Sequence, residues 1–143
     1  MRRLLFACLL PALILPLRAS AEEDDALPPA QYSANLLTRI NQYRAEHGMQ
    51  PLQPAVQLAL LAHEHSLYMA EHGDISHARF EQRYRRAGSR TCVENVGWNF
   101  RDPDEQFKGW QNSPSHNDAL LDPQLTRSGI AVFEAYVTFF ACS

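Results

Sequence analysis

Apolar residues recur at helical spacing in the first half of the chain. Over residues 31–46 they fall on one face of a helix, and His47-Gly48 predicts its end. Residues 55–72 repeat this pattern, with Pro54 near the first helical position and Gly73 just after the last. The spacing therefore predicts two amphipathic helices before residue 75.

The second half of the chain changes from helical patterns to strand patterns. Residues 79–90 predict a short helix rich in arginine, and a further helix begins at Asp102-Pro103 and ends at Ser113-Pro114. Apolar and polar residues then alternate over 129–133 and 136–140, which predicts an antiparallel hairpin. Because helices come first and strands last, the order predicts an α+β domain with a small antiparallel sheet between helical layers.

The arginine-rich segment is typical of a solvated helix face. Residues 79–90 contain five arginines together with Phe80 and Tyr84. The alternative is a surface that meets anionic lipid head groups or cell-envelope polymers.

The first 21 residues have the composition of a signal peptide. Arg2 and Arg3 precede an apolar region over Leu4–Leu17, and Ala19-Ser20-Ala21 fits the small-residue cleavage rule. Residues 22–30 are acidic and proline-containing, so we expect a linker there and a single domain over 31–143. The interpretation predicts a secreted or periplasmic protein that is not an integral membrane protein after cleavage.

Two alternatives concern this N-terminal region. Lipidation at Cys8 is the first, although most of the apolar region follows Cys8 when it should precede it. An uncleaved anchor is the second, and Pro11 and Pro16 disfavour the spanning helix that it would need.

Cleavage would leave one pair of cysteines and an acidic chain. Cys92 and Cys142 then form an even pair in an exported protein, which favours a disulfide over two reduced thiols. Three of the 13 Lys and Arg residues lie in the signal, whereas all 16 Asp and Glu residues follow it, so 10 basic residues face 16 acidic ones and the net charge is −6. This acidic balance excludes a basic surface potential of the kind that binds nucleic acid. Separately, we expect the protein to be a monomer.

Two histidines and one glutamate arrive from three separate segments. Glu94 lies in the strand-like run 92–100, His116 follows Ser113-Pro114, and His77 follows Ser76. Such convergence is typical of metal sites and acid–base sites. The structural alternative is that all three side chains only cap helices or accept backbone hydrogen bonds.

A second histidine cluster falls short of a zinc-protease motif. His63-Glu64-His65 resembles the beginning of His-Glu-x-x-His, but Leu67 stands where the second histidine is needed. We therefore expect His63 at the surface, and His65 packed or capping a helix.

Five short motifs, in this order, resemble the CAP superfamily of cysteine-rich secretory proteins, antigen 5 and pathogenesis-related proteins, and in particular its short bacterial secreted members. The motifs are Asn41-x-x-Arg44; Leu61-Ala62, Met69-Ala70 and Ser76-His77; Glu94-Asn95-Val96; Trp110-x-x-Ser113-Pro114-x-His116; and Gly129-Ile130-Ala131-Val132. The resemblance covers about residues 33–142. It implies an α-β-α sandwich with a central antiparallel sheet and a cleft.

The resemblance also implies a set of site residues. In the best-known members the cleft holds two His and two Glu, some of which bind zinc or another divalent ion. His77, Glu94 and His116 match three of these four and are the implied metal ligands. The second acid is expected near Trp110, where this chain has Gln111, Asn112 and Ser113. Five residues are given structural roles instead: Asn41, Arg44, Asn95, Trp110 and Ser113.

The sequence leaves three function hypotheses open. The first is a ligand-binding or interaction module, whose partner is a small apolar or peptide ligand or an envelope or extracellular protein, with divalent-metal binding at the cleft. The second is a metal-dependent, peptidase-like hydrolase in which Glu94 is the general base. The third is a lipid- or sterol-binding protein that uses aromatic residues, namely Trp98, Phe100, Phe107 and Trp110.

Overall fold

The computed structural model describes residues 27–143. The predicted signal peptide, its alternatives at Cys8 and as an anchor, and residues 22–26 of the predicted linker lie outside this range. Within residues 27–143, no helix combines the length and the hydropathy needed to cross a bilayer.

The described chain forms five helices and four strands in the order α1, β1, α2, α3, β2, α4, α5, β3, β4. The helices are α1 (Pro29–Glu46), α2 (Val56–His72), α3 (Phe80–Ala87), α4 (Pro103–Gln111) and α5 (Pro114–Leu120). The strands are β1 (Gln53–Pro54), β2 (Cys92–Trp98), β3 (Arg127–Phe133) and β4 (Tyr136–Cys142).

Proline sets the start of three helices. Pro29, Pro103 and Pro114 each lie in a first turn, where the missing N–H costs nothing because no carbonyl precedes it in the helix. Helix α1 therefore begins at Pro29, two residues before the predicted start, and takes in the last two residues of the predicted linker. At α4, the Asp102 side chain also caps the helix by accepting from the Asp104 amide at 2.6 Å.

The strands form one sheet in the order β1-β3-β4-β2. The three long strands pair antiparallel, as predicted, so the α+β fold with a small sheet flanked by helices is confirmed. The finding that the pattern did not predict is β1, which pairs parallel with β3 through only two residues. A two-residue strand that contains a proline has too few positions to show alternation.

Helices cover both faces of the sheet. One hydrophobic cluster joins α1 and α4 to side chains such as Ile130 and Phe139, and a second joins α2 to Ala131 and Phe140 on the opposite face. Successive strand residues point to opposite faces, so each strand serves both clusters. This produces the sandwich of helix, sheet and helix.

Glycine at position 129 allows α2 to pack directly against β3. A Cβ atom at Gly129 would lie 2.0 Å from the backbone nitrogen of Ala59. No real side chain tolerates that approach, so the glycine sets the separation between helix and sheet.

The disulfide predicted from the cysteine pair is present. Cys92 and Cys142 are opposite one another at the ends of β2 and β4, and their sulfur atoms are bonded. The bond closes a loop across 50 positions and joins the last strand to the strand that carries Glu94.

Asn41 and Arg44 hold α1 to the loops beside it. The Asn41 amide donates to the Leu52 carbonyl at 3.0 Å and accepts from the Leu52 N–H at 2.8 Å. Arg44 is almost fully buried and donates to the carbonyls of Gln50, Leu120 and Asp122. Burying a guanidinium is tolerable here because backbone carbonyls take up its donors.

Candidate functional site

The site is built on β2, which in the described part of the chain is an edge strand and pairs with β4 alone. Glu94 and Asn95 are consecutive on this strand, so their side chains point to opposite faces of the sheet. Glu94 points toward α2 and α3, whereas Asn95 points toward α5, where its amide donates to the His116 carbonyl at 3.0 Å. Glu94 and Asn95 together thus contact residues of both helical layers.

The Glu94 carboxylate is buried and paired with Arg83. Its side chain is only 1% exposed. Arg83 donates from Nε to Oε2 at 2.7 Å and from Nη2 to Oε1 at 2.8 Å, which is the two-pronged geometry that guanidinium and carboxylate favour. The third donor of Arg83 reaches the Ala78 carbonyl at 2.7 Å. Arg83 is therefore held by the Glu94 carboxylate and by the Ala78 carbonyl.

His77 completes the hydrogen bonding of Glu94. Its Nδ1 lies 2.9 Å from Glu94 Oε1, and because an ionised carboxylate can only accept, Nδ1 carries the proton and donates. The neutral imidazole then keeps a lone pair on Nε2. The side chain is 52% exposed, so Glu94 orients a histidine that lies partly at the surface.

The electrostatics agree with an ionised carboxylate. Burial by itself would raise the pKa of Glu94, but the hydrogen bonds from His77 and Arg83 and the charge of Arg83 outweigh it, and the pKa lies below its usual range. Glu94 is therefore a weak base and a strong hydrogen-bond acceptor.

His65, on α2, lies close to the Arg83–Glu94 pair. Its Nε2 donates to the Ser76 carbonyl at 2.6 Å and stands 3.6 Å from Glu94 Oε1. Burial lowers the pKa of His65, although the charge of Glu94 acts in the opposite direction. His65 is thus packed and neutral, and it holds the peptide group that directly precedes His77. His63, by contrast, is exposed on the same helix.

His116 approaches from the first turn of α5. Its Nδ1 is 2.9 Å from Ser113 Oγ, so the hydroxyl of the residue before α5 holds the imidazole and makes no cap to the helix backbone. Burial lowers the pKa of His116, and His77 lowers it further when its own ring is protonated. The two imidazoles are therefore near enough to interact electrostatically.

Trp110 ties α4 to the same strand. Its indole Nε1 donates to the Val96 carbonyl at 2.9 Å, and the ring is buried among the side chains of α1 and β4. The bond uses a carbonyl on the open edge of β2. Trp110 therefore fixes the strand one residue beyond Asn95.

The donor set does not fit a three-residue metal centre that includes Glu94. Both carboxylate oxygens accept hydrogen bonds, and the adjoining guanidinium repels a cation. Gln111 and Asn112, near the place of the missing acid, carry no carboxylate. Among the residues of the described range, no three His, Cys, Asp or Glu side chains are grouped to hold an ion. At this site the hydrogen bonds of His77 and His116 use Nδ1, so within residues 27–143 the Nε2 atoms of these two rings have no hydrogen-bond partner.

Arg83 is the residue that the sequence analysis missed. The interpretation of residues 79–90 as a solvated face is wrong for this arginine, which is 5% exposed. A signal was present: Phe80, Arg83 and Ala87 follow one another at helical spacing, and this is the face that α3 turns inward.

The four candidate aromatic residues do not form one binding surface. Phe107 and Trp110 lie on the inward face of α4 and belong to the core. Trp98 and Phe100 are exposed at the end of β2. The aromatic set proposed for lipid binding is therefore divided between the core and the surface.

Comparison with known proteins finds a matching family and a protein of similar sequence. Residues 37–142 match the cysteine-rich secretory protein family, CAP. The uncharacterized membrane protein YlbC of Bacillus subtilis (strain 168) is 30% identical over 115 residues, which cover 72% of this chain and 32% of that protein. The chain thus spans about a third of this curated relative.

Solved structures share the fold. An extracellular protein containing an SCP domain from Bacillus anthracis str. Ames has a TM-score of 0.76 at 24% identity, with 80% of this chain and 41% of that chain covered. An outer surface protein from Borrelia burgdorferi has a TM-score of 0.75 at 18% identity, with 82% of this chain and 96% of that chain covered. These matches confirm the resemblance that the motif order indicated.

Proposed function

The chain belongs to the cysteine-rich secretory protein family, and on that premise we propose that it is an exported ligand-binding module whose cleft presents the imidazoles of His77 and His116. The observation that carries the proposal is the buried Arg83–Glu94 pair, which orients His77 by one hydrogen bond and leaves its Nε2 open. A buried ion pair adds little net stability, because desolvating the two charges offsets their attraction, so we assign this pair a role in setting the geometry of His77.

Three features support export. The relatives of similar fold are described as an extracellular protein and an outer surface protein. The first 21 residues have signal-peptide composition. The Cys92–Cys142 disulfide suits an oxidising compartment.

The ligand is recognised by imidazole nitrogen. Neutral His77 offers a lone pair, which suits a hydrogen-bond donor or a borderline-soft cation such as Zn²⁺. A divalent ion would be held by the two Nε2 atoms, with water in the remaining positions, and Glu94 would orient a ligand without being one. With only two protein ligands, we expect such binding to be weak and readily exchanged.

The hydrolase hypothesis has less support. A general base needs a free lone pair and a pKa near the working pH. Both oxygens of Glu94 are engaged, and its pKa is lowered. The contacts favour Glu94 as the group that orients His77.

A zinc titration followed by calorimetry and histidine NMR tests the proposal. We expect binding by the purified protein that disappears in the His77→Ala/His116→Ala variant. The fold should survive, because Asn95 holds the His116 backbone carbonyl and Arg83 still pairs with Glu94. The matched control is His63→Ala/His72→Ala, which removes two exposed histidines of α2 and should leave binding unchanged. Zinc signals that appear only at other histidines, or no binding at all, would overturn the proposal.

A further inference from the structure

The edge of the sheet opposite the histidine site is left open by the early end of β1. Strand β1 pairs with β3 only at Arg127 and Ser128. The Ala55 N–H then donates to the Ser128 carbonyl at 2.8 Å, and the chain turns into α2. The other five residues of β3 have no neighbouring strand on this side within residues 27–143.

At two residues of this edge, the backbone N–H and C=O groups point away from β4. The Ser128 carbonyl faces β1, and strand geometry alternates, so the N–H and C=O groups of Ile130 and Val132 face the same direction. In the described part of the chain these groups have no hydrogen-bond partner. They form a ladder that begins where β1 stops.

A groove runs along this ladder between α1 and α2, which cover opposite faces of β3. A cavity of about 330 Å³ lies beside Ser128 and Ile130, with walls that include Leu37, Val56 and Ala59. A second cavity of about 220 Å³ shares Ile130 and continues to Val132. The groove therefore follows the unpaired stretch of the strand.

The groove combines apolar surface with a buried hydroxyl that has no hydrogen-bond partner in the described chain. Val56 lines the groove and is 79% exposed, and Leu60, one turn further on the same face of α2, is 59% exposed, so the two form an apolar patch. Ser128 also lines the groove, and its buried hydroxyl has no hydrogen-bond partner in the described chain. The wall of the groove therefore differs from a closed apolar core, in which buried polar groups are normally paired.

From these observations we infer that an extended segment of a partner protein docks in the groove and adds a strand to the open edge of β3. A strand is the one occupant that supplies both requirements: its backbone pairs with Ile130 and Val132, and its apolar side chains fill the groove. An acyl chain would cover the apolar walls but leave the backbone groups unpaired and buried, which is costly.

The register follows from the position of β1. The incoming strand extends the line of Gln53–Pro54 and pairs with β3 from Ile130 onward. Both helical layers flank it, so its side chains meet apolar walls on both faces, and we expect consecutive apolar residues. At roughly 3.3 Å per residue, three residues of the partner span the exposed ladder.

The test is a panel of octapeptides whose three central residues are drawn from Val, Ile, Leu and Phe, with lysine at both ends. We expect at least one to bind the full chain and to slow amide hydrogen exchange at Ile130 and Val132 at least tenfold. The same peptide with N-methylated central residues, which cannot donate, should lose at least tenfold in affinity.

A matched pair of variants locates the site. Ala34 is exposed on α1 and lines the groove, whereas Ala45 is exposed on the same helix away from it. Ala34→Lys should abolish binding, and Ala45→Lys should not change it, with circular dichroism confirming that both fold.

Four outcomes would overturn the inference: no peptide of the panel binds; N-methylation has no effect; palmitate fills the groove and excludes the peptide; or sedimentation shows that the edge is closed by a second copy of the chain. The histidine site lies on the opposite edge strand, so failure here leaves the proposed function untouched, and the reverse also holds.

Discussion

At the scale of single residues, the buried carboxylate of Glu94 depends on the side chains that surround it. A lone charge in this position would be strongly disfavoured, and it is tolerated because Arg83 neutralises it and His77 completes its hydrogen bonding. The hydrogen bond from His77 to Glu94 uses Nδ1, so Nε2 is the nitrogen that the proposed function assigns to the ligand. In that proposal the carboxylate acts by orienting the histidine.

Removing Arg83 should therefore destabilise the fold more than removing a neighbouring arginine. We expect Arg83→Met to cost about 3–5 kcal/mol in the free energy of unfolding, because Glu94 would stay buried without its partner. Arg85→Met changes an exposed arginine of the same helix and should shift stability by no more than about 0.5 kcal/mol. Urea unfolding of both variants measures the difference, and equal stabilities would contradict the assigned role.

The buried His65 should make stability fall as the solution is acidified. Its pKa is lowered in the folded protein by burial, so the unfolded chain binds its proton more readily. The contribution of neutral His65 is complete above the unfolded pKa of about 6.5 and is lost as the pH falls toward the folded pKa. We expect His65→Gln, which can still donate to the Ser76 carbonyl, to flatten the decline below pH 6.5 in denaturation curves. A variant as pH-sensitive as the wild type would assign the effect to another group, with His116 as the first candidate.

At the scale of elements, the close packing of α2 on β3 sets the position of His65 at the candidate site. Helix α2 carries His65, so the separation between helix and sheet sets where its imidazole reaches the Ser76 carbonyl. Gly129 permits that separation, which gives a physical reason for glycine at the start of the Gly129-Ile130-Ala131-Val132 motif.

Adding one methyl group at Gly129 should be disruptive. Gly129→Ala would place Cβ 2.0 Å from the Ala59 nitrogen, so α2 must move, and we expect a loss of about 1–3 kcal/mol. Gly109→Ala is the control. Its Cβ would approach the Phe100 ring to 3.3 Å, a tight contact that this 40% exposed ring can relieve by a small shift, and alanine favours the helix. Thermal unfolding compares the two; a neutral Gly129→Ala would mean that the helix and sheet can separate freely.

At the scale of the whole molecule, the chain places two different surfaces on opposite edges of one sheet. The histidines flank the β2 edge, and the open backbone ladder lies on the β3 edge. Between them β4 pairs with both neighbours, and the disulfide joins its last residue to the first residue of β2. The covalent link thus secures the strand that carries Glu94 and Asn95.

Loss of the disulfide should lower global stability without altering the order of the strands. The bond spans 50 positions, for which the chain-entropy model gives about 4 kcal/mol. We expect Cys92→Ala/Cys142→Ala to unfold at lower denaturant concentration and to be insensitive to dithiothreitol, whereas the oxidised wild type should shift to match it on reduction. Equal midpoints for reduced and oxidised protein would show that the bond adds nothing to stability.

Much of this organisation could be read from the sequence, because helix periodicity, strand alternation and motif order are properties of short stretches. They indicated the helices, the C-terminal hairpin, the family and the pair of cysteines. The start of α1 and the two-residue β1 were missed because a proline-containing segment of that length has no period to detect.

The sequence by itself determined which residues are candidates for the site, since Ser76-His77, Glu94-Asn95 and Ser113-Pro114-x-His116 are local motifs. Only the tertiary structure decided their roles. Arg83 is 11 positions from Glu94, and His65 is 11 from Ser76, so their contacts depend on how α2 and α3 pack against β2. Whether a carboxylate acts as base, ligand or orienting group depends on what occupies its oxygens, and that is a property of the folded packing.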